Sequence, residues 1–187
     1  MAMNRAMMQA IVIAILANAG PASADEFYFQ LDLSVDHYGD NELDGDDFDI
    51  DTGGGLSARI GKAFEHFRGE VEIGFNASTI DVGFDAGDDD LDYYQGSLVL
   101  AAYKDIGPAY IGAGAGLVYQ RIETEVLGVD ISDDETNAII HGEAGFSFPI
   151  TGSVSIVPHY RATWLPGFDL DDEVVVHSAR VGLRVGF

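Results

Sequence analysis

The feature that most restricts this chain is an alternation of apolar and polar residues with a period of two, held through eight separate segments. Side chains that switch faces at every residue belong to extended strands, not to helices. The segments run approximately from 26 to 37, 54 to 64, 69 to 80, 93 to 104, 109 to 122, 137 to 148, 154 to 164 and 175 to 187. They are longer than the usual soluble strand and match a tilted strand that crosses a bilayer. The connections alternate as well. Residues 65–68, 105–108 and 149–153 read as tight turns, whereas 38–53, 81–92, 123–136 and 165–174 read as long loops. Short turns at one end and long loops at the other predict an all-β fold, an eight-stranded antiparallel up-and-down transmembrane β-barrel.

The charge map follows the same division. Of 32 Asp and Glu residues, 23 fall in the four long connections, which hold no Lys or Arg. Such segments must be solvated. A formal charge of -23 excludes nucleic acid as a partner, because phosphate binding needs a basic patch and the nine Lys and Arg residues are scattered. With 47% hydrophobic residues the chain is too apolar to stay unfolded, and with no Cys it has neither a disulfide framework nor a thiolate centre.

Residues 1–24 carry one positive residue, Arg5, then an apolar stretch centred on 11–17, then Ala22-Ser23-Ala24. This order is that of a secretory signal peptide cleaved before Asp25, leaving residues 25–187 as the barrel domain. The apolar run is well short of the roughly 20 residues needed to span a bilayer as a helix. Localisation to a Gram-negative outer membrane is expected, with the tight turns and both chain ends in the periplasm.

Each strand separates into two faces. In the last, Val175, Ala179, Val181, Leu183, Val185 and Phe187 oppose Ser178, Arg180, Gly182, Arg184 and Gly186; in the first, Phe27, Phe29, Leu31, Leu33 and Val35 oppose Tyr28, Gln30, Asp32, Ser34 and Asp36. A membrane barrel puts the first set toward lipid and the second inside, whereas a soluble sandwich would pack the apolar stripes together. Taken with the leader, the turn rhythm and the terminal Phe, the membrane arrangement is the expected one.

The leader, the eight strands, the acidic connections and the C-terminal strand VVVHSARVGLRVGF together resemble the small eight-stranded outer-membrane proteins, the opacity-type proteins and the outer-membrane protein A barrel. The resemblance covers essentially residues 25–187. It implies that Phe187, Val185, Leu183 and Val181 form the signal read by the barrel-assembly machinery, and that the surroundings are outer-membrane lipid and lipopolysaccharide.

An eight-stranded barrel is only wide enough inside for its own side chains. The inward parity collects Arg59, Arg161, Arg180 and Arg184 with Asp32, Asp36, Glu70, Glu72 and Glu143, plus Tyr28, His141 and His159. Charges confined in this way should pair, which predicts an internal salt-bridge plug in a polar core. The same residues would serve a gated, narrow ion path in which one arginine switches partners. Gly112, Gly114 and Gly116, on the inward side, leave room for long side chains from other strands. Tyr94, Tyr119, Tyr160 and Trp164 are expected in the interfacial girdles, with Lys62, Lys104 and Arg121 at the rims.

Two chemical motifs remain. Asp40, Glu42, Asp44, Gly45, Asp46 and Asp51 approach the spacing of a calcium loop, although Asp51 replaces the bidentate Glu and neither flank is helical. Weak Ca²⁺ binding there is one reading and loose association of divalent cations with the clustered carboxylates the other; no other cofactor is expected. Some eight-stranded outer-membrane barrels are lipid A deacylases that use His and Ser two residues apart on one outward face. Here His177 and Ser178 are adjacent and position 179 is Ala, so the nucleophile is missing and no catalysis is expected. The function expected is that of a monomer acting either through its exposed loops, where an extracellular ligand would bind, or simply as a structural envelope protein; the alternative is a low-conductance channel.

Overall fold

The computed structural model describes residues 27–38, 41–43, 46–50, 52–65, 67–81, 90–126, 129–166 and 173–187. Eight long strands form the wall: β1 (Phe27–Tyr38), β4 (Gly53–Ala63), β5 (Arg68–Asp81), β6 (Asp90–Ile106), β7 (Ala109–Val126), β8 (Val129–Phe146), β10 (Val154–Pro166) and β11 (Glu173–Gly186). Three short ones decorate it: β2 (Asn41–Leu43), β3 (Asp46–Ile50) and β9 (Phe148–Pro149). Every long strand pairs antiparallel with its neighbour in the chain, and β1 closes the barrel against β11 through Phe29↔Val185 and Leu31↔Leu183. A closed ladder leaves no unpaired edge, which a strand-built protein needs if it is to sit in hydrocarbon. An 11-residue strand such as β4, at about 3.3 Å per residue and about 40° of tilt, rises about 25 Å, the height of an apolar band in an outer-membrane barrel.

The tight connections gather at one end, here termed lower, together with Phe27 and Phe187. Between β6 and β7 the turn is only Gly107-Pro108, with Ile106 paired to Ala109. Gly107 has φ 63°, and the proline after it has its φ held negative, which is the pattern of a II′ hairpin.

The upper connections differ from the sequence reading. Segment 123–136, expected to be a loop, continues the β7–β8 ladder to Val126↔Val129, and 38–53 contains the β2–β3 hairpin. These stretches are rich in Asp and Glu and lack the long apolar alternation of the wall, so periodicity does not find them, yet backbone pairing continues. At roughly seven residues longer than β4, β7 and β8 project about 18 Å above the band. At the lower end, Arg68 opens β5 instead of closing the turn before it.

Burial fixes the two faces. Leu33, Ile73 and Leu100 are 62%, 65% and 65% exposed, whereas Gln30, Arg59 and Glu72 are 0%, 1% and 2% exposed. That inverts a soluble protein and excludes the sandwich with internal apolar stripes.

Candidate functional site: the closed interior

The inward residues form three tiers. The middle tier is built around Arg59, which β4 projects across the lumen. Its Nε lies 2.7 Å from Asp32 Oδ2 and 3.1 Å from Glu72 Oε2, and its Nη1 lies 2.9 Å from Glu143 Oε1 and 3.3 Å from Glu70 Oε2. Four carboxylates from β1, β5 and β8 therefore converge on one guanidinium. Arg161 clamps Glu72 with Nη1 at 2.7 Å and reaches Glu143 through Nε at 2.9 Å, while Arg180 adds an Nη1 contact of 3.1 Å to Glu72. Arg59 Nη2 also meets His159 Nε2 at 2.8 Å, and His159 Nδ1 lies 3.0 Å from the Val157 carbonyl. A carbonyl only accepts and a guanidinium only donates, so His159 carries its proton on Nδ1 and is neutral.

The lower tier stacks Arg68 and Arg184 among tyrosines. Arg68 Cζ lies 4.6 Å and 5.1 Å from the Tyr110 and Tyr103 ring centres, and Arg184 Cζ lies 4.7 Å from Tyr28. Arg68 pairs with Glu70 at 2.9 Å and with Asp105 at 3.0 Å; Tyr28 also donates to Glu70, and Tyr110 donates to Glu143 at 2.9 Å. The inner wall is notched to seat these side chains. A Cβ on Gly112 would stand 2.2 Å from Tyr103 Cδ1, and one on Gly182 2.2 Å from Asp32 Oδ1.

The upper tier is mostly apolar, which sets it apart from the uniformly polar core expected. Tyr38, Tyr93, Val99, Val118, Ile139, Leu165 and Val176 pack into one buried cluster across the lumen. Tyr38 meets Tyr93 edge-on at 6.0 Å. The Tyr93 hydroxyl accepts from Gln120 at 2.6 Å and from Gln95 at 3.1 Å, so its partners here are amides, not ions, while the buried Tyr38 hydroxyl has no hydrogen-bond partner among the described residues. His141 lies between the tiers over Gly114, and neither of its ring nitrogens has a hydrogen-bond partner in the structure.

Of the nine charged residues singled out for the interior, the structure brings eight into the middle and lower tiers. Asp36 is buried but stands apart, accepting from Asn76 at 2.6 Å and Ser34 at 3.0 Å. Arg184 is the loosest of the eight: its Nε donates to the neutral Gln30 Oε1 at 2.8 Å and its Nη2 is 4.0 Å from Glu70. Sequence reasoning missed Arg68, Tyr103 and Tyr110. The signal was available, because Arg68 has the parity of Glu70 and Glu72, and Tyr110 that of Gly112. On the lipid side, Val181, Leu183 and Phe187 are exposed, while Val185 keeps the same parity but is only 3% exposed, with Phe29 and Val154 as its ladder partners.

The outward aromatics form two belts. Tyr119, Tyr160 and Trp164 are exposed toward the upper end, and Tyr94 stacks on Phe75. A second belt at the lower rim, absent from the sequence reading, consists of Phe27, Phe64, Phe67, Phe146 and Phe148. Ser178 is buried inside, whereas His177 is outside and bonded to the Tyr160 hydroxyl, so the two lie on opposite sides of the wall. Among the described residues no group of three His, Cys, Asp or Glu side chains is arranged to hold a metal. Asp40, Asp44 and Asp51 of the calcium-like motif lie outside the described residues; Glu42 and Asp46 sit on the two arms of the β2–β3 hairpin.

Residues 10–187 match the family described as the outer membrane protein beta-barrel domain. Among solved structures, Neisserial surface protein A is 19% identical with a TM-score of 0.60, covering 86% of this chain and 97% of its own. Ail, the attachment invasion locus protein of Yersinia pestis, solved with the heparin analogue sucrose octasulfate, is 16% identical with a TM-score of 0.59, covering 88% and 100%. OprG of Pseudomonas aeruginosa is 15% identical with a TM-score of 0.50, covering 89% and 98%. No curated protein sequence matches the chain.

Proposed function

The chain belongs to the outer-membrane β-barrel domain family, and from that premise we propose that it is a non-conducting, non-catalytic envelope protein that works through its upper, acidic surface. The observation that carries this reading is the double closure of the lumen. Arg59 and its four carboxylates cross the middle, and the cluster from Tyr38 to Val176 crosses above it. An ion would have to displace a neutralised guanidinium and then dehydrate against apolar side chains, two independent barriers in series. A gate in which one arginine switches partners would open only the first.

Two relatives of the same fold are named for surface attachment or as surface proteins, but likeness below 25% identity does not carry a ligand across. Charge argues against a polysulfated one here, since the long connections hold 23 acids and no Lys or Arg. Cationic partners suit that surface better. Divalent cations held loosely between carboxylates, including those that bridge lipopolysaccharide phosphates, are the simplest of these. The ladder supports the idea: Asp49, Asp81 and Asp90 occupy one row across β3, β5 and β6, and Asp92 is opposite Glu123. Residues 1–24 serve as the cleaved export leader, and Phe187, Val185, Leu183 and Val181 as the signal for the assembly machinery. The closed ladder suits a monomer.

The test is reconstitution into planar bilayers. The double closure predicts no sustained conductance from wild type, nor from an Arg59→Ala variant, because the apolar tier remains. Reproducible single-channel steps from wild type would establish the channel alternative instead.

A further inference from the structure

Five guanidiniums enter the interior, from Arg59, Arg68, Arg161, Arg180 and Arg184, and they are not equally compensated. Arg59 and Arg161 are saturated with carboxylates, as described above. Arg184 is not. The only carboxylate within 4.0 Å of it among the described residues is Glu70, at that limit, and the facing Oε1 already accepts from Arg68 and Tyr28. Nη2 of Arg184 and Nη2 of Arg68 are both buried with no hydrogen-bond partner in the structure. Leaving charged donors unmade costs more than leaving neutral ones, so these atoms mark a deficit of acceptor oxygens.

Both arginines line the same cavity, about 200 Å³, which opens at the lower mouth of the barrel. Its wall includes Ser147, Ser153 and Ser155, and Ser155 is the direct ladder partner of Arg184. Phe27 of the aromatic belt stands at its edge. The Arg184 side chain is 13% exposed, so the mouth gives access to it. Asp105, half-exposed on the Arg68 Nε, and the exposed Glu65 of the turn before β5 are acids of the described lower rim that oppose an incoming anion.

We propose that this lower mouth binds a phosphate group, held by Arg184 and Arg68 and steadied by the serine hydroxyls. A tetrahedral oxyanion offers oxygens to two guanidiniums at once, and arginine is the side chain best matched to it. The group could be carried by a phospholipid of the adjoining leaflet, whose headgroup lies at the level of the phenylalanine belt, or by a soluble phosphate; the chemistry at the arginines is the same.

The test uses the full barrel folded in a maltoside detergent, which carries no phosphate of its own. Inorganic phosphate and a short-chain phosphatidylglycerol are titrated separately by calorimetry. Binding of both supports a site for the free group, and binding of the lipid alone supports the headgroup as its source. In either case Arg184→Gln should weaken binding about tenfold or more, the scale of one charge-assisted contact. Ser155→Asp, which places a carboxylate beside Arg184 without removing a cation, should do the same in a barrel that still shows heat-modifiable migration. Lys104→Gln, on the lipid-facing side of the lower rim and away from the lining of this cavity, should change nothing. The proposal is overturned if neither ligand binds, or if both interior variants bind as tightly as wild type.

Discussion

Removing the central guanidinium as Arg59→Met gives the sharpest test of the interior. Four carboxylates contact Arg59, and a naive sum would assign a large penalty to each. The geometry says otherwise. Glu72 and Glu143 keep Arg161, with contacts from 2.5 to 2.9 Å, and Glu70 keeps Arg68 at 2.9 Å. Only Asp32 is orphaned, left with Gln30 at 2.6 Å, Ser57 at 3.3 Å and the neutral His159. The expected cost is therefore that of a single stranded buried charge, about 3–5 kcal/mol, and not a multiple of it. Adding Asp32→Asn removes the stranded charge, so the double variant should be more stable than Arg59→Met alone. Urea unfolding from vesicles, followed by the fluorescence of Trp164, the chain's single Trp, gives the free energies. A loss below about 1 kcal/mol for Arg59→Met, or an Asp32→Asn change that deepens the loss, would refute the single-orphan account.

Two further outcomes follow from other parts of the barrel. Gly182→Val puts a branched side chain where even a Cβ would be 2.2 Å from Asp32 Oδ1 and 2.7 Å from Gln30 Nε2, so the heat-modifiable species should be lost on gel migration; a normally migrating variant would show that the notch is not needed. Millimolar Ca²⁺ should raise the thermal midpoint and chelator reverse it, with the response diminished when Asp49, Asp81 and Asp90 are changed to Asn; a midpoint insensitive to divalent ions removes the support for cation bridging of that row.

The alternation that identified the wall also sorted most of the interior, and for one physical reason. Lipid demands an unbroken apolar stripe, so the other parity is free to hold Asp32, Arg59, Glu72 and Arg161, and each can be placed by counting in twos. Where that demand ends, legibility ends. The described parts of 123–136 continue the ladder without the long apolar alternation of the wall, and Arg68 begins β5 at the rim, where turn and strand look alike. Nor does parity report height along the axis. It groups Asp36 with Asp32, although tilt and stagger place Asp36 beside Asn76, with no ion pair among the described residues. The same limit hid the division between an ionic middle tier and an apolar upper one, since Val99, Val118 and Val176 share the parity of polar neighbours.

That division has a cause in the distribution of cations. Of the eight Lys and Arg residues from position 25 onward, five point inward in the middle and lower tiers, and Lys62 and Lys104 stand at the lower rim. Arg121 is the one that remains toward the upper end, and its ladder partner is Asp134. Ion pairs in the upper lumen would need guanidiniums that the described residues do not place there; valines, tyrosines and amides pack across it instead. The upper connections are left with a dense negative charge that internal cations do not offset. Self-repulsion of this kind is relieved by mobile cations or by a basic partner, and it weakens as ionic strength rises. The interior and the upper connections are thus two results of one allocation: with five of the eight cations paired inside the middle and lower barrel, the four long connections keep 23 acids and no Lys or Arg.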